Sequence, residues 1–299
     1  MVYVFAIAAA LVSATAGVLQ RLGLETVPSD KAMRLSLLTQ ALRRGIWLLG
    51  FALLLVQFVL QAIALRFGQL NVVQPLLTLD LLFLVAILAI FFHRRLGWRE
   101  WLGAVGIVGG LAGFLALAAP AHGRGIPTSH GWWAVTIVVV AAAVALVVAT
   151  RWGPRWWRAA AFGAASAMLF AYNAALTKTT TTLVTEGWGH VFTHWEPYAI
   201  AVTGLVGFFL LQNALHAGPI AASRATIVVI NPLVSIAIGA TVFEEHLRTG
   251  NGFIVAEIAT LAVLVVGALL LVQSPLVAGS AAEGEPGELL GAPAGIPLA

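Results

Sequence analysis

Nine runs of apolar residues constrain this chain more than any other feature. They cover residues 2-22, 45-66, 69-92, 100-119, 131-150, 158-178, 197-216, 219-243 and 252-273. A run of about 20 residues crosses the roughly 30 Å hydrocarbon layer as an α-helix, because each helical residue adds about 1.5 Å. With 61% hydrophobic and only 9% charged residues, a water-soluble globular fold is excluded. The sequence therefore predicts an all-α polytopic membrane protein with nine transmembrane helices.

The basic residues predict which way these helices point. If successive helices alternate in direction, twelve of the 16 Lys and Arg residues fall on one side and four on the other. Positively charged loops resist translocation, so the side with twelve is expected to be cytoplasmic. The N-terminus is then outside and the C-terminus in the cytoplasm, in a plasma or bacterial inner membrane. Because the net charge of +4 is accounted for by these loops, no nucleic-acid partner is expected.

The chain divides into segments around these helices. The ten Trp residues lie at or near predicted helix ends, as in the aromatic belts of membrane proteins. Residues 179-196 read as a loop. The remaining segments are a first transmembrane helix with a cytoplasmic amphipathic segment (1-44), a first set of three helices (45-119), two linking transmembrane helices (131-178), a second set of three helices (197-273) and a disordered cytoplasmic tail (274-299).

The two sets of three helices resemble each other. Sliding the chain by 150 residues aligns Ala64, Leu65 and Gly68 with Ala214, Leu215 and Gly218, and a shift one residue longer aligns Phe92 and Leu96 with Phe243 and Leu247. Equivalent helices lie five positions apart along the chain, so the two copies cross the membrane in opposite directions. Arg94 and Arg95 occupy the loop that corresponds to Glu244 and Glu245. This is the pattern of an inverted-topology repeat.

Short motifs within the two sets carry a family resemblance. They are the residues 61–68, 72–76, 231–234 and 243–247. This succession of an alanine-bearing helix end, a tight turn, a proline-bearing helix and an "E-x-L" loop resembles the drug/metabolite transporter superfamily, including its EamA-like members and the related NIPA-type magnesium transporters. The resemblance covers 45-119 and 197-273. It implies secondary transport or cation permeation.

Polar residues near the middle of predicted helices are the first candidates for a transport site. Asp80 lies near the middle of its helix, where a carboxylate costs about 2.5–3.5 kcal/mol on insertion scales. The equivalent position in the second set is about Ile230 or Asn231. Pro75 and Pro232 precede or adjoin these residues, and each removes a backbone donor and permits a kink. We expect Asp80 to be a proton or cation site; the alternative is a protonated structural Asp bonded to a neighbouring helix.

Further polar residues are expected along the substrate pathway. Gln57 and Gln61 are four residues apart and share a helix face, and Tyr172 and Asn173 lie inside another predicted helix. Packing between helices is an equally good reading of these four, because polar side chains also join transmembrane helices. Glu257 lies about one turn inside the last helix and either reaches the interface or faces Asp80 across the pathway. Lys178 is expected to extend towards the outer interface, and His216 with Arg224 to form an interface anchor or gate.

Glycines on the fourth helix predict a close helix contact. Gly103, Gly106, Gly110 and Gly113 recur with helical spacing and include overlapping G-x-x-x-G patterns, which let helix backbones approach. Packing within one chain is the favoured interpretation. A homodimer interface is the alternative.

Several classes of chemistry have no support in the sequence. The chain has no Cys, which excludes disulfides and thiolate sites. The outer segment with Glu186, His190, His194 and Glu196 is the one metal-like grouping, and its glycines and proline favour a solvated loop. Neither a phosphate-binding loop nor a hydrolase motif is present. No cofactor is expected, and whether a metal binds is left open.

The expected function is therefore secondary transport of a small solute, by alternating access coupled to a proton or ion gradient. The nearest alternative is NIPA-like permeation of Mg²⁺ or another divalent cation. A non-transporting membrane scaffold and an intramembrane enzyme are alternatives from other classes, and an enzyme is not expected because no convergent acid/base pair is visible.

Overall fold

The computed structural model describes residues 1–24, 44–91, 93, 95–118, 126–218, 220–245 and 251–274, and the regular structure in these ranges is helical. In chain order the helices are α1 (Val2–Leu24), α2 (Gly45–Phe67), α3 (Leu70–Leu77), α4 (Leu79–Phe91), α5 (Trp98–Ala118), α6 (Ser129–Ala149), α7 (Arg155–Glu186), α8 (Trp188–Thr193), α9 (Glu196–Ala217), α10 (Ile220–Thr241) and α11 (Asn251–Val272). Within the described ranges, nine spans are long and apolar enough to cross a membrane, with α3 and α4 forming one of them. The predicted all-α membrane protein with nine spans is confirmed at this level.

The third span is interrupted, although the sequence predicted one continuous helix over 69-92. Pro75 has no N–H, so it leaves the carbonyl of Asn71 without its helical donor. Three residues later both the amide and the hydroxyl of Thr78 bond to the Pro75 carbonyl, at 3.2 and 2.6 Å. Thr78 is a turn between α3 and α4. Pro232 has no such effect, since α10 runs without interruption from Ile220 to Thr241.

The predicted loop over 179-196 is wrong for most of its length. Helix α7 continues to Glu186 and has 32 residues, and the short helix α8 follows. Within this extension the threonine hydroxyls bond to carbonyls three or four residues back, as Thr181 and Thr182 do to Lys178. Gly187, at φ 134°, ends the helix in a backbone conformation that favours glycine.

The long helix α7 is the centre of the bundle. It packs against α6, α9, α10 and α2, and nearly all of residues 159–179 are buried or half-buried. Its small residues allow this close packing: a Cβ on Gly163 would lie 2.9 Å from the carbonyl oxygen of Ser223 on α10. The segment that sequence analysis treated as a link between two halves is therefore the most enclosed helix of the fold.

Two further helix pairs form the walls of the bundle. Helix α1 packs along α2, and α5 packs along α11. The glycine stripe lies in the second pair: a Cβ on Gly106 would lie 2.9 Å from the Cα of Gly267, and one on Gly113 would lie 2.7 Å from the side chain of Thr260. The predicted packing of this stripe within one chain is confirmed.

Two predicted segments lie outside the described residues. The amphipathic segment within 1-44 falls almost wholly on 25–43, and the tail 274-299 is described only at Ser274. Arg94 is also outside, whereas its neighbour Arg95 is exposed.

Candidate functional site

One end of the bundle is closed around the carboxylate of Glu245, which follows α10. Its Oε1 accepts a hydrogen bond from the amide of Leu70 at 2.8 Å, and its Oε2 accepts one from the amide of Asn71 at 3.0 Å. These amides belong to the first turn of α3, where helical N–H groups have no intrahelical partner and the helix dipole attracts an anion. Glu245 therefore caps a helix of the third span from the end of the eighth.

Lys178 on α7 completes this arrangement. Its ammonium group donates a hydrogen bond to Glu245 Oε1, and the two side chains are 9% and 0% exposed. The same ammonium lies 4.5 Å from the ring centre of Phe243, a distance that permits a cation–π interaction. Lys178 does not extend to the interface as the sequence predicted, because Glu245 compensates its charge inside the protein.

The chain reaches this position through a sharp turn after α10. The amide of Val242 bonds to the carbonyl of Ile238 at 2.8 Å, and the amide of Glu245 bonds back to Gly239 at 2.9 Å. Gly239 is required here, because a Cβ at that position would overlap the side-chain oxygens of Asn71 and Glu245. The glycine thus lets α3, α10 and the Glu245 carboxylate meet.

Aromatic rings surround the closed end. Trp132 makes edge-to-face contacts with Tyr172, Trp195 and Phe243 at centroid distances of 5.8, 5.4 and 6.3 Å. It is only 5% exposed, so the predicted aromatic belt is wrong for Trp132, although Trp98, Trp101, Trp133 and Trp152 are exposed. The rings exclude water from the ion pair beside them.

Away from Glu245, charged side chains of the third and eighth spans are less buried. Asp80, on the first turn of α4, is partly accessible, and so is Arg224 on α10. The two charges are close enough to interact electrostatically. The expectation that Arg224 forms an interface anchor or gate did not include this partner, which a long guanidinium side chain can reach along the helix.

The accessibility of the two helices marks the boundary between these regions. Every residue over 70–76 is buried, whereas 224–231, two full turns of α10, is partly accessible on all sides. Helix α10 packs against α3 rather than α4, so the third and eighth spans meet at one end only. We call residues 70–76, Lys178, Phe243 and Glu245 the closed end, and Thr78, Asp80 and residues 82–84 with 224–231 the accessible half.

The other predicted pathway residues are distributed over several interfaces. Gln57 and Gln61 bond to each other on α2 at 2.9 Å. The hydroxyl of Tyr172 pairs with Thr136 on α6 at 2.6 Å. Asn173 donates to the Ile200 carbonyl and to the Thr203 hydroxyl on α9, at 2.7 and 2.8 Å. For these four residues the structure shows packing contacts between or along helices.

Asn231 and Glu257 are placed differently. Asn231 is partly accessible on α10, and its Oδ1 has no hydrogen-bond partner among the described residues. Glu257 is buried on α11, one turn from the Thr260 that touches Gly113 of α5, and its Oε1 likewise has no partner in the described ranges. Glu257 is thus on the wall formed by α5 and α11.

A metal site in the predicted outer segment finds limited support. His194 and Glu196 approach to 3.5 Å, while the side chains of Glu186 and His190 lie outside the described part. No group of three or more metal-ligating side chains occurs among the residues that the structure describes.

Sequence reasoning did not place Lys178, Glu245 and Ser235 among the candidate site residues. One signal was available for the first two: a single Lys inside the sixth span and an acidic pair at the end of the eighth, on the same predicted side of the membrane. Opposite charges at the same depth are candidates for an ion pair. Ser235 carries no comparable signal.

Comparisons with known proteins leave the function open. No family model and no solved structure matches this chain. An uncharacterized protein of Corynebacterium glutamicum is 29% identical over 279 residues, which cover 92% of this chain and 96% of that protein. The similarity therefore extends over most of the length of both proteins.

Proposed function

We propose that this protein is a secondary transporter of the drug/metabolite type, which moves a small solute by alternating access between two inverted sets of helices. The observation that carries the proposal is the difference between the two halves of the third and eighth spans. Asp80 at mid-span and Arg224 near the start of α10 are partly accessible, while a buried ion pair closes the other end. A channel needs a pathway open at both ends, whereas a carrier needs one end closed at a time.

The packing pattern supports an inverted repeat that is longer than the sequence suggested. Helix α1 packs on α2 and α4 as α7 packs on α9 and α10, while α5 packs on α11 and α3 on α10. A two-fold axis in the membrane plane would produce these pairings, relating the first four spans to the last four. The fifth span, α6, has no counterpart in this scheme. Repeats of this kind place the substrate at the interface between the two sets.

The distribution of basic residues supports a proposed orientation in the membrane. With the N-terminus outside, the closed end faces outward and the accessible half faces the cytoplasm of a plasma or bacterial inner membrane. Transport then requires Lys178 and Glu245 to separate and α3 to leave α10, while the cytoplasmic half closes. Asp80 takes up and releases the proton that couples this movement to a gradient, and Arg224 compensates its charge when it is ionised.

The test uses purified protein in vesicles that contain a pH-sensitive dye. Addition of a transported solute is expected to drive a proton flux that is lost in Asp80→Asn and kept in Glu244→Gln, which changes an exposed carboxylate. The solutes are presented as a panel of small neutral, anionic and cationic metabolites. Uptake of Mg²⁺ that depends on Asp80, without a solute-driven proton flux, would favour divalent-cation transport instead. Folded protein that moves neither would favour the scaffold.

A further inference from the structure

Four polar side chains on α3 and α10 are buried or half-buried with polar atoms that lack partners. Among the described residues no partner is found for both side-chain polar atoms of Asn71, for Nε2 of Gln74, for Oδ1 of Asn231 and for Oγ of Ser235. Asn71, Gln74 and Ser235 are 0%, 3% and 0% exposed. Most buried polar groups in proteins are hydrogen-bonded, so a cluster of exceptions on two adjoining helices requires an explanation.

These residues line a single contact. Asn231, Ser235 and Gly239 are four residues apart and lie along one side of α10, and Gly239 touches Asn71. The two helices run in opposite directions, so Gln74, one turn further along α3, comes to the level of Ser235. We call Asn71, Gln74, Asn231 and Ser235 the polar seam.

The four side chains of the seam carry no net charge, and each charged group near it already has an oppositely charged neighbour. At the closed end Glu245 is neutralised by Lys178 and by the amides of α3. Asp80 and Arg224 are close enough to interact electrostatically. A charged group entering the seam would lose its water without gaining an opposite charge, which is costly. A group that both donates and accepts hydrogen bonds would satisfy the amides and the hydroxyl.

We infer that the polar seam binds the uncharged part of the transported solute, a hydroxyl- or carboxamide-bearing group, when α3 and α10 separate. This inference rests on the proposed function, because Asn71, Gln74 and Ser235 are buried in the closed arrangement and are reached only if the two helices move apart. The unpartnered groups are then the binding groups of another state of the same cycle. Apolar residues would pack the closed arrangement better but would offer the solute nothing.

The absence of Cys from the chain permits a direct test. Ser235→Cys exchanges one oxygen for sulfur, and the new thiol is treated with three methanethiosulfonates that differ only in a hydroxyethyl, sulfonatoethyl or trimethylammonioethyl group. The thiolate attacks the sulfenyl sulfur, forms a mixed disulfide and releases methanesulfinate. Each rate is divided by that of the exposed site Thr241→Cys on the same helix, which removes intrinsic reactivity.

The neutral reagent is expected to react about tenfold or more faster than either charged reagent, since burying a charge costs at least the 1.4 kcal/mol of a tenfold rate. Asn231→Cys is a second site in the seam and should show the same preference. Ser166→Cys is the control: Ser166 is also fully buried, but its hydroxyl donates to the Gly207 carbonyl at 2.8 Å. It should not react.

Each other outcome overturns the inference. Equal or faster reaction of a charged reagent at Ser235→Cys contradicts the uncharged class. Reaction of Ser166→Cys at the same rate shows general loosening of the fold rather than an opening seam. If neither seam site reacts while the Asp80-dependent proton flux persists, the inference that the seam binds solute is wrong and the proposed transport stands. If that flux is absent as well, both proposals fail.

Discussion

The closed end and the accessible half use charge in opposite ways. At the closed end Lys178 and Glu245 are fully enclosed and bonded, and the carboxylate also caps α3. In the accessible half Asp80 and Arg224 interact while both remain partly accessible. An enclosed pair fixes two spans together, whereas an accessible pair can exchange partners with water, protons or a solute. The difference indicates which end of the bundle is joined by an ion pair and which part can exchange protons or bind a solute.

The largest expected effect is on stability at the closed end. Lys178→Ala leaves the Glu245 carboxylate buried without its counter-ion and is expected to lower the free energy of unfolding by about 3–5 kcal/mol. Arg224→Ala should cost less than Lys178→Ala, because Arg224 acts on Asp80 through electrostatics alone, whereas Lys178 is hydrogen-bonded to Glu245. Denaturation in mixed micelles measures both. Equal losses at the two positions would contradict the distinction between the regions.

The double variant Lys178→Met with Glu245→Met sharpens this result. Removing both charges is expected to cost less than the sum of the single variants, because neither charge is left uncompensated. Additive losses would show that the two side chains do not act as a pair.

A second effect concerns the glycine that lets the helices meet. Gly239→Ala places a methyl group against Asn71 and Glu245 and is expected to cost about 1–3 kcal/mol by overpacking. Gly17→Ala is its matched control, since nothing lies within 4 Å of a Cβ there. The control should be neutral or stabilising by up to about 1 kcal/mol, the helix-propensity difference. A neutral Gly239→Ala would mean that the contact between α3 and α10 is looser than described.

A third effect has the opposite sign. Asn71→Leu replaces a buried, unpartnered amide with an apolar group of similar size and is expected to raise the free energy of unfolding by about 1 kcal/mol. The same variant should stop solute-driven proton flux, because the seam loses a binding group. Lower stability in Asn71→Leu would show that the amide has a structural partner in the folded protein.

A double variant with almost no expected change in stability separates packing from binding at Tyr172. Thr136→Val leaves the Tyr172 hydroxyl without its partner and should cost about 1–2 kcal/mol, whereas Thr136→Val with Tyr172→Phe should be nearly neutral. Proton flux should persist in the double variant. Loss of the proton flux would indicate that Tyr172 lies on the substrate pathway, as the sequence suggested.

The sequence was sufficient for the spans because their length and hydrophobicity are local properties. It also predicted the packing of the glycine stripe, since helical spacing alone brings Gly103, Gly106, Gly110 and Gly113 to one face. It did not predict the extension of α7, because glycine and threonine disfavour helix on average while local hydroxyl bonds and burial of Lys178 decide the outcome here.

The candidate site was predictable only in part. Asp80 and Asn231 could be identified because a polar residue within an apolar run is recognisable from the sequence alone. The partners Arg224 and Glu245 were not predicted, since which helices adjoin determines which charges meet. Ser235 was missed for a related reason: its lack of a partner is a property of the packed interface and not of its neighbours in sequence.

The central claim is that closing one end and opening the other are linked, and labelling from both ends tests it most directly. Thr226→Cys reports the accessible half and Thr179→Cys, on a fully buried residue beside Lys178, reports the closed end. With Glu245 intact only the first should react with an impermeant thiol reagent. Adding Glu245→Gln is expected to raise the rate at Thr179→Cys and to lower it at Thr226→Cys. A rise at both sites, or no change at either, would contradict alternating access.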